Sequence, residues 1–159
     1  TYEKEFGTFL PAGKRKNQMN LILETLYNQR TSFGESDTSR LYIKIKRVVN
    51  QRSLLLLYTN FESIQALERQ LFYLTQLNRS HLLVVIFFKN TELDQLIHSK
   101  PENTEEIYHK TIAEKFAYEK KLMVSLLAKH GIQAILTKPK DLNADVINKY
   151  IELKARGMF

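Results

Sequence analysis

The sequence predicts an α/β fold in which helices cover both faces of a mainly parallel sheet. Two runs, Leu54 to Thr59 and Leu82 to Phe88, have strand length and are apolar at nearly every position. Such runs are typical of parallel strands that are buried on both faces. Between them, residues 63–78 carry apolar side chains at helical spacing, which indicates right-handed βαβ units. We expect the Leu54 to Thr59 strand to lie at the centre of the sheet.

The first third of the chain contributes a weak strand and two amphipathic helices to this prediction. Lys4 to Leu10 resembles a short edge strand, because a proline stops the run. Residues 14–28 have helical spacing, and Ser36 or Asp37 can cap a second helix that runs to Asn50. The predicted inward positions of the two helices are Met19, Ile22, Leu23, Leu26, Tyr27, Leu41, Ile45, Val48 and Val49.

A long helix is predicted between Asn103 and His130. Asn103 is a good amino-terminal cap, and Glu106 three residues later completes a capping box. Gly131 suits the left-handed turn that commonly follows a helix. The predicted buried stripe of this helix consists of Ile112, Phe116, Met123 and Leu127.

The remaining elements are a short helix over Thr91 to Ile97, a third strand over Ile132 to Leu136 and a final helix. A turn at Lys138-Pro139-Lys140 separates the last two elements. Because no repeat or linker interrupts the pattern, we expect one domain over residues 1–159. The predicted inward positions of the final helix are Leu142, Val146, Ile147, Tyr150 and Ile151.

Composition excludes several classes of protein. With 43% hydrophobic and 26% charged residues, the chain is too apolar for a disordered segment. It has no cysteine, which excludes disulfides, thiolate metal sites and thiol catalysis. Its longest apolar runs are far shorter than a membrane-spanning helix requires. We therefore expect a cytoplasmic domain, or the soluble domain of a membrane-associated parent.

The net charge of +7 leaves a second interpretation open. Most of the basic excess lies in Lys14 to Lys16 and between Arg40 and Arg52, where the side chains would occupy solvated faces of helices. The alternative is a basic α/β domain that binds nucleic acid or an anionic membrane surface. Few aromatic residues lie among these charges, so base stacking is poorly supported and we expect no nucleic-acid partner.

The sequence contains no recognisable set of catalytic residues. The four histidines lack the spacing of a zinc helix, and the five glycines do not form a phosphate-binding loop. Ser36 and Ser63 have no identifiable base. We therefore expect neither an enzyme nor a small-molecule substrate.

Small polar residues follow both buried strands, at the edge where open α/β sheets gather functional sites. Because the carboxyl ends of parallel strands share one edge, we expect these residues to converge on a protein-binding surface. The surface would consist of Thr59, Asn60, Phe61, Lys89, Asn90 and Thr91, with Ser36 and Asp37 added if the topology brings the loop before the second helix to the same edge.

Four segments carry a resemblance to a known family. They are Phe9-Leu10-Pro11, Arg52 to Phe61, Ser80-His81-Leu82 and Val146 to Gly157. The chain resembles the bacterial domain-of-unknown-function family 58. The resemblance implies a partial von Willebrand A-like (Rossmann-like) three-layer α/β/α sandwich that lacks the first strand and its Asp-x-Ser-x-Ser motif. It also implies that this chain is the carboxyl-terminal portion of a longer protein.

The resemblance further implies a degenerate metal site. Ser36-Asp37 and Thr59-Asn60 match the second and third metal loops of a von Willebrand A domain. Magnesium prefers charged oxygen ligands, and Asn60 offers only a neutral amide oxygen. We expect no metal or cofactor in this chain, and magnesium binding only in an intact parent.

The partners implied by the resemblance are proteins. Members of the family are linked to MoxR-type AAA+ ATPases, which implies a scaffold or interaction module. Without the family's first strands, Leu54 to Thr59 would expose an apolar edge. We expect a homodimer that pairs this strand or Lys4 to Leu10 across chains, and a stable monomer at micromolar concentration would contradict it.

Overall fold

The computed structural model describes residues 8–11, 13, 16–28, 37–101 and 103–158 of the 159-residue chain. The chain divides into two compact units, Thr1–Val48 and Val49–Phe159. The single domain expected over residues 1–159 stays a prediction. The first unit contains α1 (Gln18–Tyr27) and α2 (Thr38–Val48). The second contains β1 (Leu54–Tyr58), α3 (Ile64–Ser80), β2 (Leu82–Phe88), α4 (Thr91–His98), α5 (Thr104–Lys129), β3 (Gln133–Thr137) and α6 (Leu142–Ala155).

The first unit confirms both predicted helices and corrects one packing prediction. Asp37 caps α2, because its Oδ1 accepts hydrogen bonds from the backbone N–H groups of Ser39 and Arg40 at 2.9 and 3.3 Å. Leu41 is buried, as expected, but α1 has no buried residue, and its predicted inward side chains are exposed. Residues 4–7 of the predicted Lys4 to Leu10 strand lie outside the described residues, and residues 8–10 do not form a strand.

The second unit is built on a three-stranded, all-parallel sheet, which confirms the α/β class. Over the described residues the strand order is β1-β2-β3, so β2 is central and the prediction of a central β1 was wrong. The burial of the strands agrees with this strand order. All but the last residue of β2 are buried, whereas Leu56 and Tyr58 of β1 are 39% and 47% exposed. Both strands look equally apolar in sequence, but among the described residues only β2 is paired with a strand on each side.

Helices cover both faces of this sheet. Alternate residues of β2 point to opposite faces, and Leu82, Val84 and Ile86 pack with Leu153 of α6 in one cluster. On the other face α3 contacts β2 and α5 contacts β3, and these two helices also contact each other. The result is a three-layer α/β/α sandwich that is compatible with a Rossmann-like fold.

The predicted ends of the long helix α5 are confirmed. The Asn103 Oδ1 accepts from the backbone N–H of Glu106 at 2.8 Å, and the Asn103 amide donates to Glu106 Oε1 at 3.0 Å. After the helix, Gly131 has a φ of 72°, where a residue with a Cβ would be strained. In the described part of the chain, no helix is both long and apolar enough to cross a membrane.

Two predicted buried stripes were partly wrong. Phe116 of α5 is 45% exposed. At 26 residues α5 is about 39 Å long, whereas the seven residues of β2 span about 23 Å, so part of the helix extends past the sheet. In α6 the buried residue is Leu153, while Ile147, Tyr150 and Ile151 are exposed. Apolar residues occur around most of α6, so spacing alone could not select its buried face.

Candidate functional site

A cleft of about 610 Å³ opens at the carboxyl ends of the strands. Its residues come from the segments that follow β1 and β2, from the end of β3, from α4 and from the middle of α5. This is the edge at which parallel α/β sheets gather their functional sites. The apolar walls of the cleft are formed by Phe88, Leu93, Ile97, Phe116 and Leu136.

A lysine of α5 joins the cleft to the loop after β1. The Lys120 ammonium donates to Asn60 Oδ1 at 2.5 Å and also to the backbone carbonyl of Phe61. Burial lowers the pKa of Lys120, and the attraction of Glu119 and Glu62 only partly opposes this effect. The half-buried cation therefore has two neutral oxygens as its direct acceptors.

The loop after β2 forms another side of the cleft. The Lys89 backbone N–H donates to the carbonyl of Thr137 at 2.8 Å, which continues the pairing of β2 with β3. Asn90 then caps α4, because its Oδ1 accepts from the backbone N–H groups of Glu92 and Leu93 at 2.9 and 3.2 Å. These bonds fix the first turn of α4 beside the strand ends.

An ion pair connects α4 to the segment after β3. Lys138 Nζ lies 2.5 Å from Asp94 Oδ2, and both side chains are about one-third exposed. The hydrogen bond from Lys138 lowers the pKa of Asp94, and the same bond raises the pKa of Lys138. The next helix is tied in similarly, because Thr137 Oγ1 donates to Asp145 Oδ2 at 2.5 Å.

The structure brings together three of the predicted surface residues and separates others from them. Asn60, Lys89 and Asn90 line the same cleft. Phe61 is buried instead, with its ring centroid 6.0 Å from that of Phe87 in an edge-to-face contact. Its side chain therefore belongs to the core, and only its carbonyl reaches the cleft through Lys120.

The other predicted surface residues do not line this cleft. Thr59 continues the pairing of β1 with β2, because its backbone N–H donates to the carbonyl of Ile86 at 3.2 Å. Thr91 is the exposed first residue of α4. Asp37 belongs to the first unit, where it caps α2 and lies 3.3 Å from Arg40 Nε. Ser36 lies outside the described residues.

The metal site implied by the family resemblance does not fit the residues at Thr59-Asn60. The amide oxygen of Asn60, which would be the ligand, already accepts from the Lys120 ammonium. A cation at that oxygen would be repelled by the ammonium. Nor does the described part of the chain hold a group of three or more histidine, aspartate or glutamate residues placed to bind a metal.

Several residues of the site were missed in the sequence, among them Asp94, Phe116, Lys120 and Lys121, and so was Lys138, which pairs with Asp94 beside the cleft. Phe116 was assigned to the core because it fits the apolar spacing of α5. Lys120 gives no local signal, since its acceptor Asn60 is 60 positions away in the chain. The Asp94–Lys138 pair gives no local signal either, since its two residues are 44 positions apart.

Together, the fold and the cleft define an α/β protein with an open site at the carboxyl edge of a parallel sheet. Comparison with known protein families, with curated proteins and with solved structures finds no match for this chain. The resemblance to domain-of-unknown-function family 58 therefore stays a prediction, and a functional proposal has to start from the cleft.

Proposed function

We propose that this chain is a non-enzymatic protein-binding module and that the cleft is its binding surface. The observation that carries the proposal is Phe116, a large aromatic side chain that is 45% exposed on the cleft wall. Aromatic side chains surrounded by polar groups are typical anchors of protein interfaces. Here Asn60, Lys89 and Lys121 supply polar groups around the apolar wall.

The hydrogen bonds that fix the loops around the cleft also favour a binding role. Hydrogen bonds from Lys120 fix the loop after β1, and Asn90 fixes the start of α4. A surface whose side chains are ordered in advance loses less conformational entropy when a partner binds. We propose a MoxR-type AAA+ ATPase as the partner and a cytoplasmic location, both on the family resemblance.

The test uses two serine variants of exposed phenylalanines. Phe116→Ser removes the proposed anchor, and Phe72→Ser removes a phenylalanine of α3 that is 64% exposed and does not line the cleft. Titration calorimetry with a purified MoxR-type AAA+ ATPase of the same organism should show at least about tenfold weaker binding for Phe116→Ser alone. Equal effects of the two variants, or no binding by the wild type, would contradict the proposal.

The basic-domain alternative is decided by a parallel titration. A DNA duplex and anionic lipid vesicles serve as probes at two salt concentrations. Binding through phosphate or headgroup charges would weaken steeply as salt rises, because neutralised charges release counterions. Such binding, unaffected by Phe116→Ser, would favour the alternative.

A further inference from the structure

Resting on the proposed function, we propose that the cleft recognises a partner segment in which a carboxylate lies next to a large apolar side chain. The carboxylate would contact Lys120, and the apolar side chain would pack against Leu93, Ile97 and Phe116. The occupant is thus a protein segment of acidic and apolar character.

Lys120 is the first reason for this assignment. An ammonium group has three N–H donors, and two of them reach the neutral oxygens of Asn60 and Phe61. Among the described residues no carboxylate oxygen forms a salt bridge with Lys120. Burial lowers the pKa of Lys120, and the attraction of Glu119 and Glu62 does not fully offset this effect. A ligand carboxylate would supply a charge-assisted hydrogen bond at this position.

The charges around the cleft are the second reason. Asp94, one of the acidic residues on the lining, is already neutralised by Lys138. Once this pair is set aside, the lysines of the lining outnumber its carboxylates, which favours an anionic ligand. The lysines are Lys89, Lys120 and Lys121, and the remaining carboxylates are Glu62 and Glu114.

The apolar wall is the third reason. Leu93 and Ile97 lie one turn apart on α4, and Phe116 comes from α5. The exposed part of the Phe116 ring is apolar surface that a ligand side chain can remove from water. Because the Lys120 ammonium lies one turn of α5 from Phe116, the charged and apolar contacts are close enough for one residue and its neighbour.

Two small probes isolate this chemistry. N-acetyl-L-phenylalanine carries a carboxylate beside an aromatic side chain, and N-acetyl-L-phenylalaninamide is its uncharged match. In heteronuclear NMR titrations of the full chain, both should shift the amides of Leu93 and Phe116. The acid should bind about tenfold more tightly than the amide, which is the scale of one hydrogen bond to a charged group.

Variants on α5 assign the preference to one lysine. Lys120→Gln should remove the preference for the acid, whereas Lys115→Gln, an exposed lysine outside the cleft lining, should retain it. If Lys120→Gln does not fold, the double variant Lys89→Gln and Lys121→Gln leaves the Lys120 contacts intact and should reduce the preference about threefold.

Several results would overturn the inference. They are equal binding of acid and amide, a preference that survives in Lys120→Gln or, where that variant does not fold, is undiminished in the double variant, and shifts confined to residues outside the cleft. Concentration-dependent shifts of the same amides without a probe would make a second copy of this chain the occupant. If Phe116→Ser still weakens the ATPase complex while the probes show no preference, the proposed function stands and this inference is wrong.

Discussion

The predicted inward residues of α5 have similar spacing in the two halves of the helix and differ in burial. In the amino-terminal half Ile107 and Phe116 are 53% and 45% exposed, and Phe116 lines the cleft. In the carboxyl-terminal half Met123 and Leu127 are fully buried. Apolar spacing thus shows which face of a helix is apolar, but not whether the protein core or a ligand covers that face.

The largest expected difference between the halves is in stability. Leu127→Ala should reduce the free energy of unfolding by about 2–5 kcal/mol, because it leaves a cavity in a packed core. Phe116→Ala should cost less than about 1 kcal/mol, because much of the ring is already in contact with water. Urea unfolding followed by circular dichroism measures both variants.

The order of these two effects is the critical result. Equal losses of stability would mean that Phe116 is packed as firmly as Leu127, and the cleft would then not be a preformed surface. Met123→Ala serves as the matched control within the buried half and should behave like Leu127→Ala.

The same comparison shows how far the sequence predicts the fold. The elements of the second unit were predicted within a few residues, because β-length apolar runs and helical spacing report local geometry. Caps at Asn103 and Gly131 were predicted for the same reason, since each acts within one turn of the helix. The central strand was wrongly assigned, because sequence order alone does not determine which strand has two neighbours.

A smaller difference is expected at the ends of α5. Residues 104–109 of α5 are all exposed, so the first turn relies on the Asn103 cap. Asn103→Ala should reduce stability by about 1 kcal/mol, and Asn103→Asp should retain the cap. Hydrogen exchange should accelerate at residues 104–108 and remain unchanged at residues 123–127. Acceleration along the whole helix would contradict the division into two halves.

The cleft was less predictable than the fold. Asn60, Lys89 and Asn90 were predicted because they follow strand ends, which is a local property of the sequence. Which residues of α5 complete the site is determined by where the helix passes the carboxyl ends of the strands. Tertiary packing sets that position. Lys120 therefore has no counterpart in any short motif, although it makes the hydrogen bond that holds Asn60.

The smallest expected effect concerns the ion pair beside the cleft. The pKa of Asp94 is lowered from 3.8 mainly by its hydrogen bond from Lys138, with Lys138, His98 and Lys89 adding electrostatic attraction. A carboxyl group whose pKa is lower in the folded state stabilises the fold above its unfolded pKa. That contribution is lost as the pH falls through the folded value. The stability difference between wild type and Asp94→Asn should therefore be present at neutral pH and shrink as the pH falls below 3.8.

Lys138→Gln should remove the same pH-dependent difference, and adding it to Asp94→Asn should have little further effect. Unfolding by urea at a series of acidic pH values measures both. A difference that stays constant with pH would assign the effect of Asp94 to packing rather than charge. In that case α4 would be held beside β3 by the Asn90 cap and the apolar contacts of Leu93 and Ile97, and the cleft would keep its shape when the pair is broken.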